Sequence, residues 1–122
     1  MPYAYKKSER LRKNSDFTVT MKGKRLSLDG LSLFYAKNTI GNFRVGIAVS
    51  KKLANAVKRN RLRRQIRDGV SRKLRGRALG YDLVFVARQG ICGAEYAQIL
   101  RTIDSVLQRT ALRNEKHEGT PR

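Results

Sequence analysis

RVGIAVSKKLANAVKRNRLRRQIRDGV, Arg44 to Val70, changes its periodicity part way along, and that change decides the fold. From Phe43 to Ser50 the residues alternate, with bulky Phe43, Val45, Ile47 and Val49 set against small Gly46, Ala48 and Ser50, the period of two that a strand requires. After Asn55, a good N-cap, apolar side chains recur at Leu62, Ile66 and Val70, four apart, as one buried stripe of a helix does. This helix is expected to run to about Lys73, where Gly76 and Gly80 break it. A second apolar run, Tyr81 to Ala87, then fits a strand buried on both faces. Strand, helix, strand in that order points to a parallel crossover.

Working outward, Ser15 and Asp16 are suited to starting a short helix that carries Phe17 and Met21 and stops at Gly23. Leu31 to Lys37 alternates as a strand, and the turn-forming residues Asn38 to Asn42 predict an antiparallel hairpin between it and Phe43 to Ser50. Lys24 to Leu28 is a weaker strand candidate in front of it. Tyr96, Ile99, Leu100, Ile103, Val106 and Leu107 have helical spacing within a final helix from about Ala94 to Thr110. Residues 1–13 form a basic arm and residues 111–122 a charged tail, both expected to be loosely ordered. With no repeat and no long linker, 122 residues make one α+β domain.

Charge narrows the partner. Lys and Arg number 28 against 9 Asp and Glu, a formal charge of +19 that calls for a polyanion, and nucleic acid fits it best. Twelve of those cations lie between Lys51 and Arg77, with Asp68 the one acid among them. On a helical wheel Asn60, Arg63, Arg64 and Arg67 fall about 100° to 200° from Leu62, facing away from the core. Arg59 falls inside the apolar arc, so its stem should pack while its guanidinium reaches the edge. If Phe34 and Ala48 share a face of the sheet, an aromatic stands beside a low floor of small residues. That floor either makes room for a packing helix or accepts an unpaired base.

Several chemistries are excluded. One cysteine, Cys92, forms no internal disulfide, and with one histidine, His117, the Cys and His sets of zinc sites cannot be assembled. The nine acids show no local spacing that would hold paired metal ions, no Gly-rich phosphate cradle occurs, and neither Cys92 nor His117 has an evident base or nucleophile beside it. No protein active site is expected. The N-terminus lacks the apolar stretch of a signal peptide and no window approaches a membrane span, so the expectation is a cytoplasmic protein without a membrane or a stable protein partner. A DNA-reading helix would need base-reading side chains and a dimer surface, neither of which is evident. A non-catalytic RNA-binding protein of ribosomal or chaperone type shares the size and charge.

Arg44 to Arg67, with Arg10-Leu11-Arg12-Lys13-Asn14-Ser15-Asp16-Phe17 before it and Gly80-Tyr81-Asp82-Leu83-Val84-Phe85-Val86-Ala87-Arg88 after it, resembles the bacterial ribonuclease P protein subunit. The likeness runs in the family's order and spacing from about Arg10 to Arg109, and its Arg-Asn-Arg helix after a Gly-x-x-Val-Ser-Lys-Lys strand is highly specific. It implies an α-β-β-β-α-β-α two-layer sandwich with a four-stranded sheet and a left-handed βαβ crossover, as in some ribosomal proteins. It also implies a holoenzyme in which a catalytic RNA, with Mg2+ held mainly by RNA and substrate, cuts the 5′ leader from precursor tRNA. Carried over, Arg59, Asn60, Arg61, Arg63, Arg64 and Arg67 would contact the catalytic RNA. Phe17, Phe34, Ala48, Lys51 and Lys52 would line a leader-binding cleft between the first helix and the sheet, which favours the base-accepting use of the low floor. Arg63 stands where Lys is frequent, Phe34 where Tyr is frequent, and Thr20 or Met21 replaces a second cleft aromatic.

Overall fold

The computed structural model describes residues 11, 14–39, 42–74 and 80–110. The elements are α1 (Asn14–Met21), β1 (Lys24–Leu28), β2 (Leu31–Lys37), β3 (Arg44–Val49), α2 (Ala56–Leu74), β4 (Tyr81–Ala87) and α3 (Tyr96–Gln108), the order the sequence implies. Of the residues proposed to end α2, Gly80 immediately precedes β4, whereas Gly76 lies outside the described residues, as does the tail at 111–122. So does the basic arm, apart from Leu11.

Four strands form one sheet in the order β1-β2-β4-β3. β3 and β4 pair in parallel, Val45 opposite Leu83 and Ile47 opposite Phe85, so the crossover through α2 is present. The expected hairpin between β2 and β3 is not, because β4 lies between them and pairs antiparallel with β2. The chain does reverse direction between β2 and β3, but β4 is buried at six of its seven positions and takes the centre, where two neighbours cover it. β2 forms its hairpin with β1 instead, through Asp29 and Gly30. Both have positive φ, 47° and 85°, as a tight turn between right-twisted strands demands. A side chain on Gly30 would stand 2.2 Å from the Ile91 nitrogen, in the short 3-10 turn after β4.

One face of the sheet carries the main core. Leu31, Leu33, Tyr35, Val45, Leu83 and Phe85 meet Leu62, Ile66, Val70 and Leu74 of α2 and Ile99, Ile103, Val106 and Leu107 of α3. The stripe that fixed α2 in the sequence is the stripe that is buried. Both helices lie on this side, α2 against β3 and α3 against β1 and β2, forming the second layer. They are joined at one end through Asp68, whose carboxylate accepts from both the Tyr96 hydroxyl and Arg72.

α1 packs on the opposite face, over β2 and β4. It begins one residue before Ser15, so Ser15 and Asp16 lie in its first turn instead of capping it, and Asp16 there complements the helix dipole. Arg44 ties it down, donating to both Asp82 carboxylate oxygens at 2.9 and 2.7 Å and to Asp16 at 3.3 Å. Its bonds to Asp82 above all raise the guanidinium's pKa. Asn38 also donates to Asp82 at 2.8 Å, so this largely buried carboxylate is paired on several sides. Leu11 departs from the loose arm expected for it: the side chain is buried and its N–H donates to the Val45 carbonyl at 2.8 Å. That bond occupies part of the free edge of β3, a position edge strands otherwise leave open.

Candidate RNA interface

Strand register places Phe34, Val84 and Gly46 in one row across the α1 face, with Ser32, Val86 and Ala48 in the next. Phe34 and Ala48 therefore do share a face. The ring of Phe17 from α1 sits directly on Gly46, where an added Cβ would lie 2.4 Å from Phe17 Cζ. At Gly46, then, the small residue makes room for a packing helix, which the family likeness had counted against. Beyond it Ala48 and Val86 are half-buried and Ser50 is exposed, so the floor opens beside α1.

Phe34 is not an exposed platform. It is 7% exposed, packed with Leu11 and Val84 beneath Phe17 and Val86, with the Arg25 guanidinium 6.0 Å from its ring centroid. Phe34 lacks the hydroxyl that Tyr would carry there, and the Arg25 cation lies over its ring. Thr20 points inward, fully buried with its hydroxyl donating to the Asp16 carbonyl at 2.8 Å, while Met21 is exposed. Phe17, half-buried, is the aromatic that the cleft presents to solvent.

From Ala48 the chain leaves the cleft through Ser50, Lys51 and Lys52, all exposed. The connection is braced: Lys52 N–H donates to Ser50 Oγ at 3.1 Å, and Leu53 N–H to the Ser50 carbonyl at 3.1 Å. Asn55 caps α2 as its sequence position implies, its Oδ1 accepting from Lys58 N–H at 2.9 Å. Arg59 behaves as its place on the wheel requires, half-buried with Nη1 donating to the Ala54 carbonyl at 2.9 Å. Part of its donor capacity thus holds the loop that displays Lys51 and Lys52.

The other α2 residues divide. Asn60 and Arg64 are exposed, and Arg63 and Arg67 half-buried, along one outward arc; Arg63 Nη1 donates to Asn60 Oδ1 at 2.8 Å. Arg61 lies on the other flank, facing the start of α3. There, with Lys58, Gln65 and Tyr96, it lines a groove of about 680 Å3. The sequence marked Tyr96 as one apolar member of a helical stripe, and nothing in its spacing shows that its hydroxyl reaches Asp68 on α2. Burial, and then that bond, raise the Tyr96 pKa, so the phenol stays neutral.

Among the described residues no three Asp, Glu, Cys or His side chains gather to hold a metal ion. Asp16 and Asp82 do converge, but on a guanidinium. No described helix is long and apolar enough to cross a membrane. What the molecule offers is a cleft floored by a sheet, a cationic connection and a cationic helix face, in continuous succession.

Comparison with known proteins shows the family. Residues 5–111 match the family model described as Ribonuclease P. A ribonuclease P protein component of Clostridium novyi is 39% identical over 112 residues, spanning 89% of this chain and 99% of its own. One from Bacillus cereus is 34% identical over 113 residues, 91% of this chain and 98% of its own. Among solved structures, a Staphylococcus aureus RNase P protein superposes with a TM-score of 0.80 at 33% identity, covering 87% of this chain and 98% of that one. The RNase P protein from Thermotoga maritima gives 0.75 at 28% identity, covering 84% and 97%.

Proposed function

Since the chain belongs to the ribonuclease P protein family, we propose that its two surfaces bind two different RNAs, the outward arc of α2 the catalytic RNA and the α1 cleft the 5′ leader of precursor tRNA. It is the protein subunit of an endoribonuclease that matures the 5′ end of tRNA, and it works with an RNA partner. The observation that carries the division of labour is the continuity from Ala48 through Lys51 and Lys52 to α2, which sets the two surfaces side by side on one braced loop.

On the cleft side, Phe17 offers a ring face for an unpaired base, Ala48 and Val86 a floor without relief, and Lys51 and Lys52 charge for the leader phosphates. Phe34 acts from beneath, holding Phe17 and the floor in place. On the helix side, Arg63, Arg64 and Arg67 present guanidinium forks suited to phosphate oxygens, and Asn60 orients Arg63. Arg59 contributes chiefly by fixing the loop, and Arg61 from the opposite flank. We assign Mg2+ to the RNA and its substrate, whose phosphate oxygens are the hard donors it prefers, with no protein step passing through it. The protein's part is to position and to neutralise, and we place this work in the cytoplasm.

The test is reconstitution. Added to catalytic RNA and precursor tRNA at low Mg2+, the purified protein should restore a single cut at the mature 5′ end. Binding to both RNAs without that cut would rule the proposal out.

A further inference from the structure

The groove between α2 and the start of α3 shares only Arg61 with the surfaces above. We propose that it takes one unpaired nucleotide of the catalytic RNA, its base against the Tyr96 ring and its phosphate between Lys58 and Arg61. This rests on α2 facing that RNA, and adds to it a concave site on the helix's other flank. Three observations support it. The groove, at about 680 Å3, has the size of pockets that enclose small ligands. Tyr96, half-buried, is fixed from behind because its hydroxyl donates to Asp68, itself held by Arg72, so one wall is an aromatic ring held in place before any ligand arrives.

The third is charge. Lys58 and Arg61 are exposed with no ion pair among the described residues, and Glu95 is the one acid in the lining. A neutral phenol beside two unpaired cations is compatible with a phosphate, whereas an acidic or purely apolar guest would satisfy only half the lining. Ring and cations together match a stacked base and its backbone, the pairing by which proteins hold unpaired RNA. The guest is taken to come from the catalytic RNA because Lys58 and Arg61 are on the same helix as Asn60 and Arg64, with Arg61 within one turn of both.

Cys92, the single cysteine of the chain, lines this groove half-buried and so reports on its occupancy. The experiment measures alkylation of Cys92 by an uncharged maleimide in the full chain: free, saturated with catalytic RNA, and saturated with precursor tRNA alone. Catalytic RNA should slow the reaction at least tenfold and precursor tRNA alone should not. In parallel, Tyr96→Leu should weaken assembly by about 5- to 100-fold, the loss of one stacked base, while Tyr96→Phe, which keeps the ring and gives up the Asp68 bond, should stay within about threefold. Unchanged alkylation in the complex, protection by precursor tRNA alone, or equal losses for Phe and Leu would each overturn the proposal. Arg64→Ala separates the two levels. If it weakens assembly while Cys92 stays reactive, the groove is empty and the α2 surface stands; if it has no effect either, α2 does not face the RNA.

Discussion

Single side chains on α2 and in the cleft carry different mixtures of structure and function. Arg64 is exposed and makes no bond among the described residues, so Arg64→Ala should leave stability within about 0.5 kcal/mol. Its effect should fall on affinity for the catalytic RNA, reducing the slope of log affinity against log salt by about one, measurable by filter binding over a salt series. Phe34 is the opposite case. From its sequence position Phe34→Ala should weaken leader-bearing precursor tRNA more than mature tRNA. With the ring buried among Leu11 and Val84, the same change opens a cavity costing about 3–5 kcal/mol, and urea unfolding should show it. Phe17→Leu is the cleaner probe of the cleft: it keeps apolar contact with Gly46 but removes the solvent-facing ring, and should cost leader-bearing tRNA about fivefold in affinity with mature tRNA unchanged.

Between elements, two contacts set how the helices sit on the sheet. Gly46→Ala drives a methyl into the Phe17 ring and should destabilise by about 1–3 kcal/mol by tilting α1, a loss that Phe17→Leu partly restores in the double variant. Non-additivity in thermal melts measures it; strict additivity would mean that α1 does not rest on Gly46. α2 and α3 are joined by the Tyr96 hydroxyl on Asp68. Because the folded state raises the Tyr96 pKa above the ordinary phenol value of about 10, its proton is held more tightly when folded, so this stabilisation is complete below that pH and is lost as pH rises through the folded value. Tyr96→Phe should therefore narrow its stability deficit against the parent chain as urea titrations move from pH 8 to pH 11. Much of this scale was legible beforehand: Asn55, Leu62, Ile66 and Val70 define α2 by spacing alone, because a cap and a stripe are local facts. The partner of β2 was not, since the residues after Lys37 say that the chain turns, not which strand lies alongside afterwards. The Asp29-Gly30 pair, which makes the true hairpin, is a turn signal that the reading of the sequence passed over. That Phe17 covers Gly46, and that Phe34 is buried beneath, follow from the α1 docking angle, which no spacing encodes.

At the scale of the whole molecule, a charge of +19 makes salt the dominant variable. Between 50 and 200 mM salt, affinity for the catalytic RNA should fall by about 10³ to 10⁵ if 6 to 10 phosphates are neutralised, and a flat response in the same titration would mean contacts other than phosphate carry the complex. Composition alone foretells this, whereas the placing of cations on two sides of α2 had to await the packing of α3. The strand order has a consequence for synthesis. β4, residues 81–87, is the central strand that joins β2 to β3, and it leaves the ribosome after both. Until it arrives β3 has no neighbour in the sheet, and α2, already made and fully charged, has no complete surface to bury its stripe against. The nascent chain thus displays its cations before it can display them in register, and productive RNA recognition should begin only after β4 has emerged.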